Sequence, residues 1–452
     1  MDIKNKNILI IGLGISGVST AMALDKLGAN TFITDSKSEL ELEEYVEKLN
    51  DINVKYFLSN QEIDLENIDL AIKSPGVPFD IPVIRNLNEK GIEVITDIEL
   101  AYILFENKFI AITGTNGKTT TTALTGEIFK NAKKPHHIAG NIGVGILWEA
   151  VNSNEEDIFI VETSSFQLEN TIHFKPKVSL ITNITPDHLN WHKTFEHYTN
   201  SKKKVFKNQD NKDFTILNYD DFLLRDMEKE INGNLIFFSS TETLDKGIYI
   251  ENQNIVIDTG VDKTVVIRID ELKVPGKHNL ENALASLAIA WAMEIDLEVI
   301  RKSLKEFEGV EHRLEFVKEI DQVKFYNDSK GTNPDASIKA VEAINSPIIL
   351  IAGGMDKGGD FDELIDSFKG KVKSLVLLGE TAEKLKQTAQ EKGLLETYIV
   401  KSIEESVNKA FELSESGDNI LLSPACASWD MFKSYEERGE EFKKSVYNLE
   451  EA

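Results

Sequence analysis

Seven consecutive residues, Gly114-Thr115-Asn116-Gly117-Lys118-Thr119-Thr120, have the chemistry to hold a polyphosphate. Glycines let backbone N–H groups turn toward an anion, a lysine ammonium reaches the β and γ oxygens, and a threonine hydroxyl can sit on Mg²⁺. A strict P-loop also carries glycine five residues before Gly117, where this chain has Ile112, so only the distal part of that motif is present. The apolar run 109–113 leads in, and a stretch with Leu124 and Ile128 on one helical face leads out. This is the strand, loop and helix that a phosphate site needs.

Carboxylates and imidazoles follow at intervals that suit a metal beside such phosphates. Glu162 closes the apolar run 158–161, where it either coordinates Mg²⁺ or ends a strand in solvent. Asp187, His188 and His192 put two imidazoles four residues apart, which suits a metal on a helix and otherwise reads as polar loop residues. Lys202-Lys203-Lys204 reads by itself as a solvated helix face.

A second glycine loop, Gly12-Leu13-Gly14-Ile15-Ser16-Gly17, fits G-x-G-x-x-G and is followed by Asp35 after the strand-like stretch 31–34. The pattern suits NAD or FAD, another nucleotide, or a purely structural turn. Ser74-Pro75-Gly76 is either a second loop at the same sheet edge or a strand-ending turn. Further on, His278-Asn279, His312-Arg313 and the stretch from Asp328 to Pro334 place polar groups near predicted helix starts. Asn333-Pro334 is explained by an N-cap followed by proline at the first helical position. Lys357, in a glycine-rich loop, offers an ammonium to an anionic ligand, whereas Cys426 has no local activating base and reads as a small buried thiol.

Positioning these groups takes three α/β units, with limits at 1–97, 98–309 and 310–452. Apolar runs at 8–11, 348–351, 375–378 and 420–422 read as buried strands. The stretch 214–269, with short β-prone segments between Asn, Asp and Gly, predicts an antiparallel insertion, and 279–307 predicts helix. At 452 residues and 41% hydrophobic, the chain has material for several cores. Its 50 basic against 76 acidic residues, a net charge of −26, exclude a nonspecific nucleic-acid binder. One cysteine excludes an internal disulfide, and no apolar run approaches about 18 residues. With no cleavage pattern in MDIKNKNILIIG, a cytoplasmic protein without membrane insertion is expected.

Taken in order along the chain, these motifs resemble the Mur ligase family of ATP-dependent amide-bond-forming enzymes. The resemblance spans nearly all 452 residues, through GLGISG, SPG, GTNGKT, GNIG, ETSSFQLE, TPDHL, Tyr198-x-x-x-Lys202, GKHNLEN, EHRLE, NDSKGTNPDA, GGMDKG and SPACASWDMFKSYEERGEEF. The last block is similar to that of the family's D-glutamate-adding branch. Tyr435 stands where that branch often carries Phe, and Asn190 where Asp is common.

The resemblance implies an α/β fold of three domains: a Rossmann-like N-terminal domain for UDP, a P-loop-type central ATPase domain, and a Rossmann-like C-terminal domain for the amino acid. It implies ligation of D-glutamate to UDP-N-acetylmuramoyl-L-alanine through an acyl phosphate, by a monomer serving peptidoglycan precursor synthesis. The UDP substrate would meet Gly14, Ile15, Ser16, Gly17, Asp35, Ser36, Ser74, Pro75, Gly76, Asn141 and His188. ATP would meet the loop from Gly114 to Thr120 together with Asn282, Arg313 and Asp328. Lys118, Glu162, His188 and Lys202 would be catalytic. Thr119 and Glu162 would hold one Mg²⁺, and His188 with a carbamylated Lys202 a second; the spacing from Tyr198 favours Lys202, with Lys203 and Lys204 as the other registers. Lys330, Thr332, Lys357, Ser428 and Tyr435 would form the amino-acid pocket. Another Mur or folylpolyglutamate-type ligase is the alternative within the class, and the C-terminal block argues against it. A nicotinamide-dependent oxidoreductase would explain GLGISG and leave GTNGKT without a purpose.

Overall fold

The apolar runs become the inner strands of three sheets. The computed structural model describes every residue except Asn60, 142–144, Pro275, Lys357, Gly359, Leu395 and 450–452, and omits the side chain of Asn190. The chain divides into two units, Met1–Glu271 with Glu281–Lys305, and Leu272–Leu280 with Glu306–Ala452.

The first unit holds two of the sheets. One consists of β1 (Asn7–Ile11), β2 (Asn30–Thr34), β3 (Val54–Phe57), β4 (Leu70–Lys73) and β5 (Val94–Ile95), all parallel, in the order β3-β2-β1-β4-β5. Both faces of its central strand are covered, so Ile8, Leu9 and Ile10 are fully buried and the run needs no polar alternation. The strand order reverses between β1 and β4, where open α/β sheets leave a crevice at their C-terminal ends. The Gly12 and Ser74 turns both leave the sheet there.

The other sheet has nine strands: β6 (Lys108–Thr113), β7 (His136–Gly140), β8 (Ile158–Glu162), β9 (Val178–Ile181), β10 (Phe214–Asn218), β11 (Asn234–Ser239), β12 (Gly247–Glu251), β13 (Asn254–Asp258) and β14 (Lys263–Arg268). Their order is β14-β13-β12-β11-β10-β9-β6-β8-β7. The expectation of an antiparallel insertion over 214–269 is corrected: β10 and β11 run parallel to β9 and to each other, and only β12 to β14 are antiparallel. The reason lies in the connections. Asn252 and Gln253 take φ values of 50° and 63°, the geometry of a two-residue hairpin, whereas the helix Phe222–Asp226 carries β10 across to a parallel neighbour.

The second unit contains β15 (Glu315–Ile320), β16 (Val323–Asn327), β17 (Ile348–Ala352), β18 (Val372–Leu377), β19 (Thr397–Ile399) and β20 (Asn419–Leu422), in the order β15-β16-β20-β17-β18-β19. Only β15 is antiparallel to its neighbour. Asn333 caps the helix Pro334–Ala343 as its sequence predicts, its side chain accepting from the Ala336 N–H at 2.9 Å. The predicted helical stretch 279–307 is two helices, Lys277–Ala292 and Leu297–Glu306. No helix among the described residues is long and apolar enough to cross a membrane.

Candidate active site

β6 delivers the chain into the phosphate-type loop, and the helix Lys118–Asn131 carries it away. Gly114 has φ +143°, and a Cβ there would lie 1.9 Å from Thr182 Oγ1; Gly117 has φ +84°, and its Cβ would lie 2.4 Å from Asn282 Oδ1. Both glycines are therefore required by conformation and by close neighbours. Thr182 and Asn183, leaving β9 next door, lace the loop. The Thr115 N–H donates to Asn183 O at 2.9 Å, the Asn116 N–H to Asn183 Oδ1 at 2.9 Å, and Thr182 Oγ1 to Asn116 O at 2.5 Å. Lys118 Nζ donates to Gly114 O at 3.0 Å and Thr115 O at 2.9 Å, partners it can exchange for phosphate oxygens.

Glu162 ends β8 buried, so it is not a solvated strand end. Its Oε1 accepts from Asn141 Nδ2 at 3.0 Å, while Oε2 is buried without a protein partner. A buried carboxylate oxygen without a donor is the chemistry of a cation ligand, and it fits Mg²⁺.

Lys202 is also buried, which corrects the reading of the lysine run as a solvated face. Its Nζ donates to Gly114 O at 2.7 Å and lies 4.6 Å from the centroid of the Tyr198 ring. Tyr198 and Lys202 share one face of the helix Phe195–Lys203, and Tyr198 Oη is 3.0 Å from Thr115 Oγ1. Lys203 instead pairs with Glu230, and Lys204 with Glu169 at 3.4 Å. Burial first, then the Lys118 cation, push the Lys202 ammonium well below its ordinary range, against the pull of Asp187 and Glu162.

His188 precedes the short helix Leu189–His192 with φ +52°, its Nε2 3.5 Å from Asp187 Oδ2. Burial lowers its pKa, with Lys118 and Lys202 acting the same way and Asp187 opposing. His192 points elsewhere: it is buried with Nε2 2.9 Å from Ser165 Oγ, and burial pushes it down to about 4. The two imidazoles therefore do not converge on one metal. Among the described residues, a histidine and carboxylates close enough to hold an ion do meet at Glu311, His312 and Glu440, but Lys443 already pairs with both glutamates.

At the C-terminal edge of the first sheet, a cleft of about 890 Å³ is lined by Gly12, Thr34, Asp35, Ser36, Gly76 and Val77 among others. Its charged lining residues, Asp35 and Glu62, are both acidic. Asp35 accepts from the N–H groups of Leu13 at 2.8 Å and Lys37 at 3.0 Å, and Ser74 Oγ donates to Gly12 O at 2.8 Å, tying the two turns together. Gly17 serves packing: its Cβ would lie 2.3 Å from Gly12 O. Ile15 is exposed on the helix Ile15–Lys26. Asn141 sits at Glu162, not among the residues that line this cleft.

In the second unit, three adjacent strands release their loops side by side. Asp328 follows β16, Ser423 follows β20 and Gly353 follows β17. Ser423 Oγ donates to Asp328 Oδ2 at 2.6 Å, the Gly353 N–H to Pro424 O at 2.9 Å, and the Met355 N–H to Ala427 O at 3.0 Å. Burial pushes Asp328 up to about 6, against its Ser423 hydrogen bond and the nearby Arg313 charge. Lys330 Nζ lies 5.5 Å from the Tyr435 ring centroid. Ser428 is buried and its carbonyl accepts from the Phe432 N–H at 2.8 Å, while Thr332 is half-buried. Lys357 lies outside the described residues. Cys426 is a buried thiol 3.3 Å from Thr381 Oγ1, its pKa raised by burial.

Three family models match the chain in order: Mur ligase MurD-like, N-terminal domain, over 6–96; Mur ligase middle domain, over 112–290; and Mur ligase, glutamate ligase domain, over 312–426. A protein of Clostridioides difficile (strain 630) named UDP-N-acetylmuramoylalanine--D-glutamate ligase is 50% identical over 451 residues, 99% of this chain and 100% of its own. The chain belongs to the Mur ligase family. A protein of the same name from Alkaliphilus oremlandii (strain OhILAs) is 48% identical, over 99% of this chain and 100% of its own. Two solved Mur ligases of Thermotoga maritima share the fold. UDP-N-acetylmuramate-alanine ligase MurC has a TM-score of 0.61 at 19% identity, over 98% of this chain and 99% of its own. MurF ligase in complex with ADP has a TM-score of 0.60 at 16% identity, over 99% and 100%.

Several residues that shape the loops of each unit escaped the sequence reading. Thr182 and Asn183 hold the phosphate loop, and the signal for them was the polar pair directly after the apolar run of β9. Arg438 is buried and donates to Ser329 Oγ at 3.0 Å, Ser329 O at 2.8 Å and Cys426 O at 3.2 Å, with burial lowering its pKa to about 10. The block SPACASWDMFKSYEERGEEF contains it, but no role was read for Arg438 itself.

Proposed function

We propose that this Mur ligase joins D-glutamate to UDP-N-acetylmuramoyl-L-alanine, the ligation that the names of its full-length relatives give for those proteins, with cleavage of ATP to ADP and phosphate. The observation that carries the reading is the phosphate loop with Lys118 at its mouth and the buried, unpartnered Glu162 Oε2 beside it. A carboxylate resists attack by an amine because oxide is a poor leaving group. When the alanyl carboxylate takes the γ-phosphoryl group, an O–P bond forms and the bond to ADP breaks. The glutamate amine then attacks the acyl carbon, a C–N bond forms, phosphate departs with the acyl oxygen's electron pair, and the amine proton is released.

The chain's own groups supply position and charge. Loop amides and the Lys118 ammonium meet the phosphate oxygens, lowering the repulsion between two approaching anions. Asn141 fixes Glu162 through Oε1 and leaves Oε2 free to bind. Thr119 with Glu162 would hold one Mg²⁺, and His188 with carbamylated Lys202 a second; bound there, the ions neutralise phosphate charge. Burial favours the neutral amine of Lys202, whose lone pair can form an N–C bond to carbon dioxide with loss of one proton, giving an anionic oxygen donor.

The first-sheet cleft would take the UDP end of the substrate through Asp35, Ser36 and the turn from Ser74 to Gly76. The loops after β16, β17 and β20 would take the amino acid through Lys330, Thr332, Lys357, Ser428 and Tyr435. Domain limits at 1–97, 98–309 and 310–452 and a cytoplasmic monomer complete the proposal. A phosphate-release assay with ATP, the nucleotide-sugar and a panel of D- and L-amino acids tests it. Release that needs the nucleotide-sugar and D-glutamate together supports it; release with a different amino acid, or with ATP alone, overturns it.

A further inference from the structure

Lys73 is a buried cation that the proposed reaction does not use. It is the last residue of β4, only 1% exposed, and its Nζ donates to three carbonyls of the turn that follows: Ser74 at 3.2 Å, Pro75 at 3.4 Å and Val77 at 2.9 Å. Three ammonium protons thus meet three carbonyls. Behind it stands Trp191, whose ring centroid is 5.6 Å from Nζ, and Phe79 packs edge-on against the same ring at 5.1 Å. Burial lowers its pKa to about 8, with Glu169 and Asp97 opposing, so the group is an ammonium at neutral pH.

The direction of these bonds matters for the cleft. Among the described residues no cation lines it, and the lysine that opens the turn, Lys73, faces inward. A trans peptide sets its N–H opposite its C=O. With the Pro75 carbonyl drawn toward Lys73, the Gly76 N–H points away from Lys73, and Gly76 and Val77 form part of the cleft wall. Ser74 Oγ, held on Gly12 O, fixes the other end of the turn.

We propose that Lys73 is a positioning residue for the nucleotide-sugar substrate, clamping the carbonyls of the 74–77 turn from behind so that the Gly76 N–H is turned to the cleft. The proposal rests on the assignment of that cleft to the UDP end of the substrate. Trp191, braced by Phe79, stands over the Lys73 ammonium and supports the clamp.

Calorimetric titration of the full chain with UDP-N-acetylmuramoyl-L-alanine, and separately with a nonhydrolysable ATP analogue, tests it in wild type, Lys73→Met and Asp35→Ala. Lys73→Met should weaken nucleotide-sugar binding by about tenfold, the loss expected for one hydrogen bond to a charged group, and leave the ATP analogue within about twofold. Unchanged nucleotide-sugar binding, or equal loss for both ligands, overturns the proposal. Should Lys73→Met not fold, wild type alone decides. As pH rises from about 7 to about 8.5, the ammonium fraction falls and nucleotide-sugar affinity should drop about fourfold with the ATP analogue unaffected, whereas a flat profile overturns the clamp. Asp97 and Glu169, the carboxylates that face Lys73, are ionised throughout that interval. Asp35→Ala separates the two levels: if it too leaves nucleotide-sugar binding intact, the cleft assignment fails; if it alone weakens binding, only the role of Lys73 fails.

Discussion

The two glycine loops of the first unit leave parallel strands in the same way, yet the charges around them differ. The loop after β6 gathers cations: Lys118 lies on its carbonyls, Lys202 donates to Gly114 O, and His188 stands close enough to feel both charges. The loop after β1 has none lining its cleft among the described residues; Asp35 accepts from its backbone, and Lys73 is turned to the rear of the neighbouring turn. One surface suits transferable phosphates. The other suits a ligand read by shape and backbone hydrogen bonds. Glycine spacing describes how a chain turns, whereas the charges brought by neighbouring strands decide what the turn can hold.

The largest effect is expected at the cationic loop. Lys118→Ala should reduce phosphate release by about 10³-fold, the scale of losing a preorganised charge at a reacting centre. Steady-state phosphate release measures it, and activity within tenfold of wild type would break the assignment of that loop to ATP. Next in size, Lys202→Ala should cost on the order of 10²-fold, with partial recovery in formate or acetate, which can supply the missing carboxylate oxygen. Lys203→Ala and Lys204→Ala should stay near wild type, because they pair with Glu230 and Glu169 whereas Lys202 donates to Gly114 O. Full activity of Lys202→Ala would remove the carbamate from the account.

The smallest effect lies behind the first loop. Asp97, at the start of the helix Asp97–Leu104, is raised from 3.8 to about 6, chiefly by burial. The folded state holds its proton more tightly than the unfolded chain, so the stability this group contributes is present below pH 3.8 and lost as pH rises through about 6. Asp97→Asn should therefore be more stable than wild type at pH 8 by about 1–3 kcal/mol, with the gap closing as pH falls toward about 4. Thermal unfolding across that range checks it, and a gap independent of pH would contradict the buried, titrating carboxylate.

Much of this was legible in the sequence because parallel strands buried on both faces write themselves as short apolar runs, here leading into Gly12, Gly114 and Gly353 or into the polar Glu162 and Ser423. Runs 8–11, 109–113, 158–161, 348–351 and 420–422 all lie within strands, and each loop that follows carries motif residues. The strand directions in 214–269 were not legible, since parallel and antiparallel pairing use the same residue types and differ only in how the chain returns. Burial of charges was also hidden. Only the spacing from Tyr198 separates Lys202 from Lys203 and Lys204, and nothing local marks Lys73 and Arg438 as interior; Lys202 and Arg438 meet carbonyls distant in sequence, whereas Lys73 is held by the turn directly after it.

The central claim, that the two loops serve separate ligands, is tested most directly by a crossed binding experiment. Lys118→Ala and Asp35→Ala are each titrated calorimetrically with the ATP analogue and with UDP-N-acetylmuramoyl-L-alanine. The account predicts a crossed result: Lys118→Ala loses the ATP analogue and keeps the nucleotide-sugar within about twofold, while Asp35→Ala weakens the nucleotide-sugar by about tenfold and keeps the ATP analogue. Loss of both ligands in either folded variant, or loss of the nucleotide-sugar in Lys118→Ala alone, would contradict it.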